Sequence, residues 1–321
     1  MKFENFRLKE IGQQTQYKNE KTDRDLEEMI KMQNHILESD DSLLMSKSDF
    51  NKYFLTGESM VNNDLKQRNV GDCYLISAIN ALRYSQYFEI MCRSSMKKNH
   101  DGSWQVKIPL LSKDSEIINI NPEEISSYWN DNFLKRRGQY NTSLDLRMKL
   151  SPVKGPEGFR VLEAAFIKKK FGRVNRFIAE GGFSREVFLT FCGENFKEDK
   201  NLSYQHNIKS GRIVESNLSS LQDKSKFYLD NFLKNFNSKI YVATASTSHN
   251  EVIDNKSLSP YHSYAIVSTD SINETIDLID PINTSRLIRL TFEQFKADFF
   301  TLEIFKINCP VFLKNMNELE K

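Results

Sequence analysis

The segment Gln67-Arg68-Asn69-Val70-Gly71-Asp72-Cys73-Tyr74-Leu75-Ile76-Ser77-Ala78-Ile79-Asn80-Ala81-Leu82 places a cysteine at the start of a predicted buried helix. From Tyr74 to Leu82 most residues are apolar, and this run contains neither proline nor glycine. Apolar residues on every side of a helix indicate that the rest of the protein encloses it. We therefore expect the fold to be organised around this helix, with Gly71 and Asp72 marking where it begins.

Cys73 is the candidate nucleophile of this segment. A cysteine at a helix N-terminus meets the positive end of the helix dipole and unpaired backbone N–H groups, and both favour the thiolate. Gly71 allows a substrate backbone to approach closely, and the side-chain amide of Gln67 can donate to a developing oxyanion. A cysteine within a helix is more often a buried packing residue, so the functional prediction depends on these neighbours.

The order of glutamine, Gly-Asp-Cys, aromatic residue and apolar run resembles the active-site segment of the calpain family of papain-like cysteine proteases. The matching residues, including the spacing from glutamine to cysteine, are Gln67, Gly71, Asp72, Cys73 and Tyr74. A looser resemblance extends from about residue 65 to about residue 300. It implies an α+β, papain-like fold of two lobes, in which a helical lobe precedes an antiparallel, β-rich lobe.

Other stretches predict secondary structure from their own patterns. Residues 103–110 and 116–120 read as the strands of a hairpin. Residues 158–171 have apolar positions at helical spacing, with basic residues near their end and Gly172 after them. Both stretches are similar to segments of the calpain core, as is the pair Gly181-Gly182. Further strands are predicted at 239–245, 262–268, 275–279 and 286–290.

A thiolate nucleophile needs a base, and the base needs a group that orients its ring. His262 is the candidate base, because it opens a predicted strand after a polar loop. Its surroundings, Tyr261-His262-Ser263-Tyr264-Ala265-Ile266-Val267, are similar to the His-Ala-Tyr-Ser-Val strand of the family. The alternative is a histidine that only packs at a strand edge. His249, in the preceding loop, has no strand directly after it.

Asp280 is the candidate group that orients His262, from which it is eighteen residues away. Two antiparallel strands joined by a short turn would return the chain to the histidine. The calpain family has Asn-Pro-Trp at this place, so Asp280 replaces the asparagine and Ile282 replaces the tryptophan. An aspartate accepts the imidazole N–H and stabilises the imidazolium more strongly. The alternatives are an ordinary Asp-Pro turn, or Asn283 as the orienting group.

The amino-acid composition limits the possible partners, cofactors and compartments. Lysine and arginine number 45 and aspartate and glutamate 43, so the net charge of +2 predicts no general attraction to nucleic acid or to an anionic membrane. Four cysteines without close pairing predict a reducing, cytoplasmic compartment, and no Cys/His cluster indicates zinc. We expect no signal peptide and no membrane span. Secretion into a host cell without a signal peptide is compatible with the sequence.

The sequence predicts three parts. Residues 1–60 form an N-terminal helical extension that serves as a docking arm, a lid or a pro-segment. Residues 61–195 form the helical lobe with the nucleophile, and residues 196–321 form the β-rich lobe with His262 and Asp280. Because no loop of the EF-hand type is present, we expect neither calcium dependence nor another cofactor.

Together with these patterns, the resemblance to calpains implies an endopeptidase that cleaves intracellular proteins at a limited number of bonds. Cys73 would attack a backbone carbonyl and His262 would shuttle the proton. Asp280 would orient His262, while Gln67 and the Cys73 N–H would hold the oxyanion. One alternative is an acyl enzyme with the same triad, such as a deamidase or transglutaminase. The other is an inactive, calpain-like scaffold that binds a partner protein through the N-terminal helices. The sequence predicts no oligomeric state.

Overall fold

The computed structural model describes residues 43–55, 65–67, 71–85, 87–110, 115–126, 153–175, 179, 181–193, 196–198, 204–205, 208–209, 212–213, 230, 232–238, 241–247 and 257–307. Residues Leu44–Cys309 form one compact unit, and residues 1–43 with 310–321 form a second. Leu43 is the part of this second unit that the structure describes. Residues 1–42 and 56–60 of the predicted N-terminal helical extension lie outside the described residues.

The described ranges contain helices of very different lengths. They are α1 (Lys47–Phe54), α2 (Cys73–Tyr84), α3 (Phe88–Ser95), α4 (Pro122–Ile125), α5 (Glu157–Phe171), α6 (Ser184–Cys192) and α7 (Phe292–Asp298). Every residue of α2 from Tyr74 to Arg83 is buried, which confirms the enclosed helix predicted from its apolar run. None of the helices in these ranges combines the length and the apolarity that crossing a membrane would require.

Aromatic packing joins α1, α3 and α5. The ring centroids of Phe54 and Phe159 lie 5.3 Å apart, and those of Phe88 and Phe159 lie 5.6 Å apart. Gly158 permits this approach, because a Cβ atom there would lie 2.4 Å from the Phe54 ring. The structure thus includes α1 in the same compact unit as the rest of the described helices, whereas the sequence prediction placed it in the N-terminal extension.

Helix α5 ends as its sequence predicts. Gly172 has a φ of +75°, and its N–H bonds the carbonyl of Lys168 at 2.8 Å, so the glycine provides a left-handed C-cap. The basic run at the end of α5 is neutralised locally rather than forming a basic surface. Its three lysines pair with glutamates from other elements: Lys168 with Glu124, Lys169 with Glu116, and Lys170 with Glu186.

A small antiparallel sheet packs with the helices. It has the order β1 (Met96–Lys98), β2 (Trp104–Ile108) and β3 (Glu116–Ile120), and the alternate residues of β2 are buried as its pattern predicts. Helix α3 ends at Ser95, directly before β1. Met96 is extended because it pairs with Val106 of β2, which satisfies backbone groups that a longer helix would have used.

The larger sheet has the strands β4 (Phe196–Glu198), β5 (Tyr204–Gln205), β8 (Tyr241–Thr247), β9 (Ser263–Asp270), β10 (Thr275–Asp280), β11 (Asn283–Thr291) and β12 (Phe299–Ile307). It is entirely antiparallel along the order β11-β10-β9-β8-β12-β4, with β5 also paired to β12. A separate pair is formed by β6 (Ile208–Lys209) and β7 (Arg212–Ile213).

The two faces of strand β9 have different partners. Tyr264 and Ile266 belong to an apolar core that also includes residues of α7 and of the segment 232–236. Because side chains alternate along a strand, Ser263 and Ala265 point to the opposite face. There the Ser263 hydroxyl lies 3.4 Å from that of Ser184, and the Ser77 hydroxyl of α2 donates to the Ser263 carbonyl at 2.6 Å. Small side chains on this face let α2 lie directly against the sheet.

Candidate active site

Cys73 is the first residue of α2 and is half-buried. The carbonyl of the preceding residue, Asp72, accepts the N–H groups of Leu75 at 2.9 Å and Ile76 at 3.1 Å, so it starts the hydrogen-bond ladder of the helix. The Gly71 carbonyl accepts the Gly181 N–H at 2.8 Å, which anchors the entry to the helix. The sulfur of Cys73 therefore lies beside first-turn N–H groups at the positive end of the dipole.

His262 directly precedes β9, where its backbone and its ring are both held. Its N–H donates to the Thr247 hydroxyl at 3.1 Å, and its carbonyl accepts the Thr247 N–H at 2.9 Å. The ring meets Tyr264 edge-on, with 4.9 Å between centroids and 87° between planes. Tyr261, the residue before it, has a φ of +53°, which turns the chain sharply into the strand. The imidazole is thus buried with a defined orientation.

Asp280 ends β10 and accepts from the ring of His262. The distance from Asp280 Oδ1 to His262 Nε2 is 2.9 Å. The same oxygen accepts the Ile282 N–H at 2.8 Å, and the Asn283 N–H also bonds the carboxylate. A register shift between Ile279 and Asp280 in the pairing with β11 accompanies this tight turn. Asn283, the second candidate from the sequence, therefore supports Asp280 through its backbone.

The electrostatics favour an ion pair between Cys73 and His262. Burial raises the pKa of Cys73, but the hydrogen bond to His262, the imidazole charge and the N–H groups of Ser263 and Tyr74 lower that pKa by more. Burial lowers the pKa of His262, whereas Asp280 and Cys73 raise it to about 9. Together these shifts favour a thiolate on Cys73 facing an imidazolium on His262.

The carboxylate completes this charge arrangement. Burial raises the pKa of Asp280, yet the His262 hydrogen bond, the two turn N–H groups and the imidazolium charge bring it below its ordinary value. Since Nε2 of His262 is engaged by Asp280, Nδ1 is the nitrogen that remains for the hydrogen bond to Cys73. The imidazolium can thus release its Nδ1 proton beside the sulfur while Asp280 keeps the ring in place.

Gln67 lies near the turn that follows Asp280. Its N–H donates to the Pro281 carbonyl at 2.6 Å, and the neighbouring Lys66 forms a β-bridge with Lys154. Residues 68–70, which connect Gln67 to Gly71, lie outside the described residues. The backbone contact brings the Gln67 segment to the side of the site that holds Asp280. Its role as an oxyanion donor stays a prediction.

Several residues of the site were not assigned a role from the sequence. Thr247 holds the His262 backbone, and Tyr264 packs on its ring. Gly182 lies against Tyr74, since a Cβ atom at Gly182 would lie 2.6 Å from the Tyr74 ring. The change from a polar loop to an apolar run after His262 could have indicated that Tyr264 packs at the site. Thr247 lies in a different strand, and only the pairing of the strands brings it to His262.

Apart from His262, the described residues include one histidine. His100 is exposed in the turn before β2. The alternative base His249 lies outside the described residues. Within the described ranges, no group of three or more His, Cys, Asp or Glu side chains is arranged to hold a metal ion.

No protein-family model matches the sequence, and no curated protein matches it either. Support for a function therefore comes from the residues of the site and from the segment between Gln67 and Leu82.

Proposed function

We propose that the chain is a cysteine endopeptidase with a calpain-like catalytic core. The observation that supports this most is the contact series from Cys73 through His262 to Asp280, with 2.9 Å between His262 Nε2 and Asp280 Oδ1. A thiolate on a helix N-terminus, an imidazole beside it and an acceptor behind the imidazole are the parts that thiol acyl transfer needs. The papain-like fold of two lobes, 61–195 and 196–321, belongs to the same proposal.

The proposed reaction proceeds through an acyl enzyme. The Cys73 thiolate forms a bond to the carbonyl carbon, and the carbonyl electron pair moves to its oxygen. As that pair returns, the C–N bond breaks and His262 Nδ1 protonates the leaving amine. A water molecule then gives its proton to Nδ1 and attacks the thioester, and the thiolate leaves. The sum is one peptide bond and one water converted to an acid and an amine.

Apolar side chains around the site favour polypeptide substrates. Phe183 follows Gly182, Tyr261 precedes His262, and Ile282 donates its N–H to Asp280. These three side chains are 58%, 59% and 51% exposed. Exposed aromatic and aliphatic groups next to catalytic residues suit the side chains of an extended peptide better than a small polar molecule.

The proposed setting is a reducing one, in the cytoplasm of the producing cell or of a host cell. Cys73, Cys92 and Cys192 are free thiols in the described structure, as a thiol enzyme in such a compartment requires. Proteins of that compartment are the proposed substrates, and we propose no cofactor.

The test compares wild-type protein with Cys73→Ala on a cell lysate, with and without a calcium chelator, and maps new protein N-termini by mass spectrometry. Cys92→Ala is the matched control, because burial raises the pKa of that thiol well above its ordinary value. We expect new termini with the wild type and Cys92→Ala, none with Cys73→Ala, and no effect of the chelator.

Other results of this experiment would favour one of the alternative functions. A one-dalton mass increase or a cross-link that depends on Cys73, without new termini, would favour the deamidase or transglutaminase alternative. If the wild type produces neither termini nor modifications, the endopeptidase proposal is wrong and a binding scaffold becomes the better hypothesis.

A further inference from the structure

Helix α2 has two buried polar side chains with atoms that lack a hydrogen-bond partner in the described structure. Asn80 is fully buried, and neither its amide nitrogen nor its amide oxygen has a partner. Arg83 is 3% exposed, and its Nε and Nη1 atoms have none. The two residues are three positions apart on the helix, so they lie on the same face.

The contacts that Arg83 does make leave its charge uncompensated. Its Nη2 is 3.5 Å from the Tyr84 hydroxyl, and its guanidinium carbon lies 5.2 Å from the Tyr84 ring centroid. A phenol is a neutral partner near pH 7, while a guanidinium stays protonated in proteins. A buried charge without an opposite charge is costly, and burial accordingly lowers the pKa of Arg83.

Another buried arginine shows how this protein satisfies such a group. Arg93 is 1% exposed, but its Nη1 pairs with Glu89 at 3.2 Å and its Nε donates to the Met45 carbonyl at 3.1 Å. Arg83 has no comparable carboxylate or carbonyl among its described contacts. An acceptor with negative charge that is not part of the chain would supply what Glu89 supplies to Arg93.

We propose that Arg83 and Asn80 bind a small anion inside the protein. The anion accepts hydrogen bonds from the guanidinium and from the Asn80 amide nitrogen. The Asn80 amide oxygen needs a donor, so an oxyanion with an O–H, such as bicarbonate or hydrogen phosphate, satisfies both residues. A halide would satisfy only the donors. We therefore expect the hydroxyl-bearing oxyanions to bind more tightly than chloride.

This site is separate from the candidate active site. Arg83 is ten residues after Cys73 on the helix, which corresponds to about 15 Å along the axis, so the anion does not touch the reacting atoms. The proposal does not depend on the proposed function. It implies instead that the anion stabilises the helix on which Cys73 lies.

The test measures the thermal unfolding midpoint of the full chain after dialysis into a buffer balanced with sodium methanesulfonate. Bicarbonate, phosphate or chloride then replaces the methanesulfonate at fixed pH and ionic strength. A ligand that binds only the folded state raises the midpoint progressively with its concentration. We expect this rise for wild type, larger for the oxyanions than for chloride, and a flat response for Arg83→Met. Arg173→Met, at an exposed position, is the matched control and should respond like wild type.

A midpoint that does not respond in wild type, or responds equally in Arg83→Met, would overturn the proposal. If Arg83→Met does not fold, crystals of the wild-type protein grown in bromide give an independent answer. An anomalous peak within hydrogen-bond distance of the Arg83 guanidinium supports the site. Ordered water there, without an anomalous peak, contradicts it.

Discussion

Asp280 controls the protonation of His262 by its charge as well as by its position. The substitution Asp280→Asn keeps an oxygen that can accept from Nε2 and from the Ile282 N–H, but removes the charge. Because the carboxylate raises the pKa of His262, we expect that pKa to fall from about 9 by roughly 1–3 pH units in the variant. The imidazolium would then be lost at lower pH, and the alkaline limit of the proposed reaction would move down with it.

An NMR titration of the histidine side chains measures this change directly. The signal of His262 is assigned by its absence in His262→Gln. Asp270→Asn is the control, because it makes the same change in an exposed turn, where the carboxylate accepts from Ile272 and Asn273. A His262 pKa that is equal in wild type and Asp280→Asn would show that the carboxylate is not the source of the raised value.

Two buried tyrosines should respond to the loss of their hydroxyl groups with opposite signs. The Tyr74 hydroxyl is buried without a partner in the described structure, so Tyr74→Phe should increase the free energy of unfolding by about 1 kcal/mol. The Tyr264 hydroxyl accepts the Ser259 N–H at 2.7 Å, so Tyr264→Phe should lower it by about 1–3 kcal/mol. Urea denaturation of both variants measures the two changes. Destabilisation by Tyr74→Phe would mean that its hydroxyl has a partner.

At the scale of elements, the segment before α6 must approach the start of α2 closely. A Cβ atom at Gly182 would lie 2.6 Å from Tyr74 Cζ, so Gly182→Ala should displace the ring at a cost of about 1–3 kcal/mol. Since the Tyr74 N–H helps to lower the pKa of Cys73, the variant should also alkylate more slowly with iodoacetamide near pH 6.

Gly172→Ala is the control that separates the steric effect of Gly182→Ala on the Tyr74 ring from backbone strain. Gly172 has a φ of +75°, and a Cβ atom there would meet no other part of the described structure within 4 Å. Its replacement therefore strains the backbone without touching the site. We expect it to lower stability and leave Cys73 alkylation unchanged. Restored alkylation in Gly182→Ala with Tyr74→Leu would identify the ring as the cause. Equal alkylation rates in the two glycine variants would contradict the explanation.

Local patterns predicted the elements whose residues are neighbours in the chain. The helix that begins at Cys73 and the pair of strands at 104–108 and 116–120 follow from apolar spacing and turn residues. Strand β12 was not predicted, because its sequence, FFTLEIFKI, directly follows a helix and has no flanking turn signal. Its partner β8 is more than fifty residues away, so no short-range pattern reports the pairing.

In the candidate site, too, local patterns predicted some features, while others depend on contacts between distant residues. Cys73, His262 and Asp280 could be named because each lies at the boundary of a recognisable element. The charge balance among them could not be derived, since it depends on burial and on N–H groups brought in by folding. That Arg83 has no charged partner in the described structure was equally hidden, because a sequence does not show which side chains face one another.

At the scale of the whole molecule, the helices and the larger sheet share one compact unit, and we expect them to unfold together. The Ser77 hydroxyl of α2 bonds the Ser263 carbonyl at 2.6 Å, and Ala265 is fully buried in the strand against which α2 packs. A contact this close leaves no room for water between helix and strand. Loss of either element would therefore expose the apolar surface of the other.

Two probes of urea unfolding test this coupling. Trp104 fluorescence in a Trp129→Phe background reports the part that contains the helices, and far-UV circular dichroism reports the sheet as well. The two curves should coincide for this background protein. Adding Ala265→Leu overpacks the contact between helix and strand, so it should lower stability by about 1–3 kcal/mol and separate the curves. Ala297→Leu, at an exposed position of α7, should leave them coincident. Separate curves before Ala265 is changed would mean that the two parts fold independently, and that the Cys73 helix does not need the sheet to form.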